Sequence, residues 1–256
     1  MANIYKVKDK ETGRTVALKK LRPHLALERR MVREFSREAR LAAQFDHPNV
    51  IKVFELRKEK GIPCLIMEYV EGGNLKELIL RRDENLRKDP LFIIRGIGRG
   101  LNHIHEHGII HGDIKPENVL VSPKGEVKIT DFDLARRERK LSGLFGREIN
   151  GTIAYMSPEQ FRGEKVDERS DIYSFGVTVY EVLTGRIPFS GEDRESLIKI
   201  HLDERAVPKP PSVYGNILPD LEEVTLKALD KNPARRYQSA AEILVDLEKI
   251  WRTFYE

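Results

Sequence analysis

The chain has 256 residues, of which 40% are hydrophobic and 34% charged, with a formal net charge of +4. That length can bury a sizeable core, as one large domain or two closely packed lobes, and the composition excludes a disordered chain. No uncharged apolar run approaches the ~20 residues of a membrane span, and the first residues carry charge where a signal peptide needs an apolar stretch.

Ile4–Lys8 and Arg14–Lys20 read as strands joined by a turn over Asp9–Gly13. Residues 28–45 have helical spacing, with Met31, Phe35, Ala39, Ala42 and Phe45 on one face. The mixed charges of residues 28–40 read as a solvated helix face rather than a nucleic-acid patch, so no nucleic-acid partner is expected. His47-Pro-Asn breaks that helix. Val50–Leu56 and Pro63–Tyr69 follow as two more strands, and Glu71-Gly-Gly73 reads as a flexible joint. Beyond it the pattern turns helical, with helices expected at residues 74–83, 90–107, 169–184, 194–202, 219–229 and 238–254. Short strands are expected at Val119–Val121 and Val127–Ile129, either side of Gly125. The fold class is therefore α+β, a small strand-rich lobe (1–67), a hinge (68–73) and a larger helical lobe (74–256) with a cleft between them.

The richest stretch is His111-Gly-Asp-Ile-Lys-Pro-Glu-Asn-Val-Leu-Val121, with Asp131-Phe-Asp133 just after it. Phosphoryl transfer asks a protein for positioning and charge neutralisation rather than covalent work. Asp113 can accept or orient the proton of a substrate hydroxyl. Lys115 can neutralise a transferring phosphoryl group, and Asn118 and Asp131 are oxygen ligands suited to Mg²⁺. Lys19, at the end of the second strand, is a point charge for phosphate oxygens; taken alone it would read as a solvent lysine. His111 and Phe132 read as core.

Taken together these motifs resemble the eukaryotic-type (Hanks-type) serine/threonine protein kinases over essentially the whole chain. Tyr155-Met-Ser-Pro-Glu-Gln and Asp171-Ile-Tyr-Ser-Phe-Gly are in the style of bacterial members. The resemblance implies a two-lobed kinase fold and a transfer of the γ-phosphate of Mg²⁺-ATP to protein serine or threonine. It pairs Lys19 with Glu38, with Glu34 as a lesser candidate. It makes Met67 the residue behind the adenine, gives the backbone of Glu68 and Val70 to the base edge, and sandwiches the ring between Ala17 and Leu120. It implies a structural pair of Glu159 with Arg236, and an anchoring role for Asp171 beneath the catalytic loop. Lys115 and Thr152 point to serine/threonine specificity.

Three departures stand against that pattern. Aligned through Ile4-Tyr-Lys-Val, the last glycine of the Gly-rich phosphate loop falls on Ala2, with the first strand before it. Ile4–Lys8 would then be an exposed edge strand, and losing two loop amides at about 1.5–3 kcal/mol each would weaken ATP binding or turnover roughly 10²–10⁴-fold. Asp133 stands where glycine is usual, its carboxylate expected near the metal site. Gly112 stands where many members carry an arginine that receives an activation-loop phosphate, making the chain non-RD. Activity is thus expected not to require phosphate on Ser142, a residue flanked in sequence by Arg136, Arg137, Arg139, Lys140 and Arg147. The other reading is a pseudokinase, a weak ATP-binding scaffold working through protein contacts. The lone Cys64 cannot form an internal disulfide and suits a reducing cytoplasm. The implied partners are ATP and a protein substrate, with further domains outside the chain allowed.

Overall fold

The computed structural model describes residues 2–137, 139–140 and 152–255. Ser142 and Arg147 lie outside the described residues, as do the side chains of Arg136, Arg137, Arg139, Lys140 and Thr152.

The first 68 residues build β1 (Ala2–Lys8), β2 (Thr15–Leu21), α1 (Arg29–Ala42), β3 (Val53–Glu59) and β4 (Ile62–Glu68). The strands form an antiparallel sheet in the order β1-β2-β4-β3. The β1–β2 turn is closed by Asp9, whose Oδ1 accepts the N–H groups of Glu11 and Thr12 at 2.8 and 3.2 Å. Strand alternation in β2 turns Ala17, Lys19 and Leu21 inward. Ala17 pairs with Met67 and Lys19 with Leu65 on β4. Against this sheet α1 buries Phe35, Glu38, Ala39 and Ala42, one stripe of a 3.6-residue period.

Several boundaries differ from the sequence reading, two of them with consequences for the lobe contact. The helix expected to residue 45 ends at Ala42. The third strand starts at Val53 rather than Val50, because Asn49–Ile51 pairs elsewhere. Ile51 N–H donates to Ile129 O, and Ile129 N–H to Asn49 O, each at 2.9 Å. Those bonds tie the small lobe to a strand of the large one.

The larger part begins at β5 (Gly73–Asn74), then α2 (Leu75–Leu80), α3 (Glu84–Lys88) and α4 (Pro90–Glu106). Next come β6 (Ile109–Ile110), β7 (Val119–Val121), β8 (Val127–Ile129), β9 (Arg136–Arg137) and β10 (Arg139–Lys140). It ends with α5 (Pro158–Arg162), β11 (Lys165–Val166), α6 (Glu168–Thr184), α7 (Arg194–Leu202), α8 (Pro219–Ala228) and α9 (Ala240–Tyr255). The long helices start where capping chemistry says they should. Asp89 caps α4 by accepting from Phe92 N–H, with Pro90 at the first helical position, and Asp167 caps α6. Every residue of α6 from Ser170 to Val182 is buried, so it is the axis around which the other helices pack. No helix among the described residues is long and apolar enough to cross a membrane.

The glycines read as a flexible joint are instead a packed crossing. Gly72 has φ +119, and a Cβ there would lie 2.3 Å from Val121 O. Gly73 pairs with Val121 in the β5–β7 ladder. Glycine is needed for close approach, not for freedom.

Candidate active site

Where the two lobes meet, a cavity of about 270 Å³ is lined by Ala17, Lys19, Glu38, Met67, Glu68, Val70, Asn118, Leu120 and Asp131. All the residues proposed from sequence for nucleotide and metal therefore share one cavity. β2 contributes Ala17 and Lys19, two residues apart on its inner face; α1 contributes Glu38; β4 and its exit contribute Met67, Glu68 and Val70. Leu120 enters from β7. Glu68 N–H donates to Lys52 O at 2.9 Å, and its carboxylate accepts from Lys52 N–H at 2.6 Å and Lys128 Nζ at 2.9 Å. Its side chain is thereby held off the cavity.

Lys19 is buried, and its Nζ lies 2.6 Å from Glu38 Oε1, 3.1 Å from Asp131 Oδ1 and 3.5 Å from Asp133 Oδ1. Burial disfavours its charge, but Asp131, Glu38 and Asp133 more than offset this and raise its pKa. Glu34, the lesser candidate, pairs with Arg30 at 3.0 Å instead. Glu38, Asp131 and Asp133 bring oxygens within 4.8 Å of one another, with the Lys19 ammonium as the cation among them. Burial raises the Glu38 pKa to about 9, helped by hydrogen bonding to Asp133 and opposed by Lys19. Asp133 stays below its ordinary range: burial works against its charge, but the bond to Glu38 and the charge of Lys19 prevail. Glu38 Oε2 is buried with no donor on it among the described residues. The pair is thereby biased towards a neutral Glu38 beside an ionised Asp133. Asp133 is thus a partner of the Lys19–Glu38 pair, not only a neighbour of Asp131.

The loop His111–Asn118 is hung from α6. Asp171, fully buried, accepts His111 N–H at 2.8 Å and Gly112 N–H at 2.7 Å. His105, a residue the sequence reading passed over, adds Nε2 at 2.9 Å. Burial opposes charge on Asp171, yet His105 and the backbone donors hold its carboxyl below the usual range. Gly112 sits at φ +76, a backbone conformation that favours glycine. His111 is core, its ring 4.9 Å from Phe132, which stacks on Phe45 at 5.1 Å. Asp131, at φ +67, is strained for a non-glycine residue; the packed Phe132 holds it there.

Within the loop, Asp113 Oδ2 accepts Lys115 Nζ at 2.7 Å and Asn118 Nδ2 at 3.0 Å. Asn118 Nδ2 also donates to Asp113 O at 2.8 Å, which turns its carbonyl oxygen away from Asp113. The second carboxylate oxygen, Asp113 Oδ1, is buried and accepts nothing among the described residues. Below the loop, Glu159 and Arg236 form a buried two-bond pair at 2.7 and 2.9 Å.

The family described as protein kinase domain matches residues 1–246. Over nearly the whole chain it is 40% identical to a probable serine/threonine-protein kinase of Streptomyces coelicolor (97% of this chain, 38% of the relative). It is 37% identical to serine/threonine-protein kinase PrkC of Bacillus subtilis (97% and 38%). It is 38% identical to serine/threonine-protein kinase PknB of Mycolicibacterium smegmatis (98% and 41%). The chain spans about two fifths of the length of these curated relatives. With the lysine pair, the hung loop and the buried Glu159–Arg236 pair in place, the chain belongs to the protein kinase domain family.

Proposed function

We propose that this domain transfers the γ-phosphate of ATP to serine or threonine hydroxyls of a protein substrate, and that Asp113 receives the hydroxyl. The observation that carries this reading is the asymmetry of its carboxylate. One oxygen is committed to Lys115 and Asn118, and the other, buried, has no donor on it among the described residues, which leaves it to accept an O–H. Lys115 stands beside it as a fixed positive charge for the group in transit. Ala17 and Leu120 enclose the adenine, with Met67 behind it. Since Glu68 N–H is already used by Lys52 O, its carbonyl and the N–H of Val70 are the groups for the base edge. Lys19 holds phosphate oxygens, kept in place by Glu38 and Asp133.

Asn118 and Asp131, each with a side-chain oxygen, line the same cavity. They are hard oxygen donors that fit Mg²⁺, a cation that holds oxygen ligands and substrate phosphates together. When bound, it would neutralise charge on the phosphates. The lone, buried Cys64 suits a cytoplasmic setting for the domain. No feature among the described residues favours a catalytically silent scaffold.

The test is Mg²⁺-dependent phosphorylation of a generic protein substrate by wild type and Asp113→Ala. A loss of about 10²–10⁴-fold is expected. Equal incorporation by the two proteins would sink the assignment.

A further inference from the structure

One side chain joins Gly112, in the loop, to Ser157, just before α5. Gln160 Oε1 accepts the Ser157 N–H at 2.8 Å and its hydroxyl at 3.1 Å. An amide side chain has one acceptor end and one donor end. The Ser157 N–H can only meet an oxygen, so it settles which end is which. Nε2 must face the other way, and there it lies 3.4 Å from Gly112 O. Gln160 is 5% exposed and Ser157 fully buried, so water is poorly placed to replace either bond. Gly112 O is the oxygen of the peptide bond that leads into Asp113. The N–H of Gly112 is already held by Asp171 from α6. The residue just before Asp113 is thus gripped on both sides, its N–H by α6 and its carbonyl by α5. At φ +76 it has no side chain of its own to fix it.

We propose that Gln160 is a positioning residue for Asp113: its amide ties the Gly112–Asp113 peptide to the start of α5 and so sets the direction of the Asp113 carboxylate. The role assigned to Asp113 rests on the kinase reading; the tie itself does not. At 3.4 Å the bond is long, so it contributes little to overall stability. Orientation is where it counts, because a small misplacement of a catalytic group costs rate steeply. Lys19, Glu38 and Asp131 are held by other elements, so nucleotide affinity is untouched.

The test compares wild type with Gln160→Met, which matches the shape and removes both the donor to Gly112 O and the acceptor for Ser157. Gln160→Asn, neutral and one methylene shorter, keeps the question open should the first not fold. The readouts are kcat and ATP KM on a generic protein substrate, and amide hydrogen exchange across residues 109–118. Expected are a kcat lower by about tenfold, an ATP KM within twofold of wild type, and faster exchange at Gly112 and Asp113 with α6 unchanged. Wild-type exchange at Gly112 and Asp113 overturns the proposal, and so does a kcat equal to wild type or an ATP KM that rises along with the fall in kcat. If the wild type itself transfers no phosphate, the kinase reading is what has failed, and the exchange comparison alone decides the tie.

Discussion

At Lys19, one ammonium faces three carboxylates, which makes this residue group sensitive to proton count. The folded Glu38 pKa is raised from 4.5 to about 9. Its protonated form therefore stabilises the fold fully below about pH 4.5, and that contribution is lost as pH rises towards 9. Glu38→Gln is neutral at every pH and escapes this loss. Chemical denaturation at pH 5, 7 and 9 should show the stability of wild type falling relative to Glu38→Gln. A difference that stays level across that range would contradict the raised Glu38 pKa. Lys19, Glu38, Asp113, Asn118 and Asp131 were legible in sequence because motif spacing carries them. The place of Asp133 was only partly so. A residue two positions after a metal-ligand candidate was expected near it, and the Asp133 carboxylate does lie within 4.8 Å of that of Asp131; what no local pattern marked is its approach to Lys19 at 3.5 Å. His105 and Gln160 were missed for a related reason: each bonds a group far away in sequence, the Asp171 carboxylate for His105 and the Gly112 carbonyl for Gln160, and no local pattern marks such a contact.

Among the elements, those with a full period were readable and the short ones were not. The helices α4, α6, α7, α8 and α9 and the β7–β8 hairpin fall within a residue or two of where spacing put them. By contrast α3, α5 and the two-residue strands are too short for any period to show. Val50–Ile51 has strand character, but its hydrogen bonds go to Ile129, a partner no local window contains. Gly72 is the sharpest case. Read as a joint, it is a packing requirement, with Val121 O 2.3 Å from where a Cβ would stand. Gly72→Ala should destabilise the protein by about 1–3 kcal/mol through overpacking, with left-handed strain adding to this. Urea denaturation measures it, and a stability within about 0.5 kcal/mol of wild type would restore the flexible-joint reading.

On the scale of the whole molecule, the large lobe is organised around α6 and a buried ion pair beside it. Arg236 bonds Glu159 with two nitrogens and also donates to Asp230 O, Arg169 O and Lys231 O. Ser170 Oγ donates to Glu159 at 2.6 Å. Removing either partner alone strands a buried charge, so Arg236→Met and Glu159→Gln should each cost about 3–5 kcal/mol. The double variant should cost less than the sum, since neither charge is then left alone. Strict additivity in thermal or urea unfolding would mean that the two side chains act independently.

By itself the sequence determined the α+β class, the order of the long elements and the kinase resemblance, and it named most residues of the proposed site. Periodicity and motif spacing are local, and a phosphoryl-transfer loop carries its chemistry in a few adjacent positions. Only the tertiary structure decided how charge is shared. It set Asp133 against Lys19 and Glu38, left one buried oxygen of Asp113 without a donor among the described residues, and gripped the Gly112–Asp113 peptide between α5 and α6. The physical reason is that a proton's position and a carboxylate's direction depend on every dipole within a few ångströms, and folding gathers those from all along the chain.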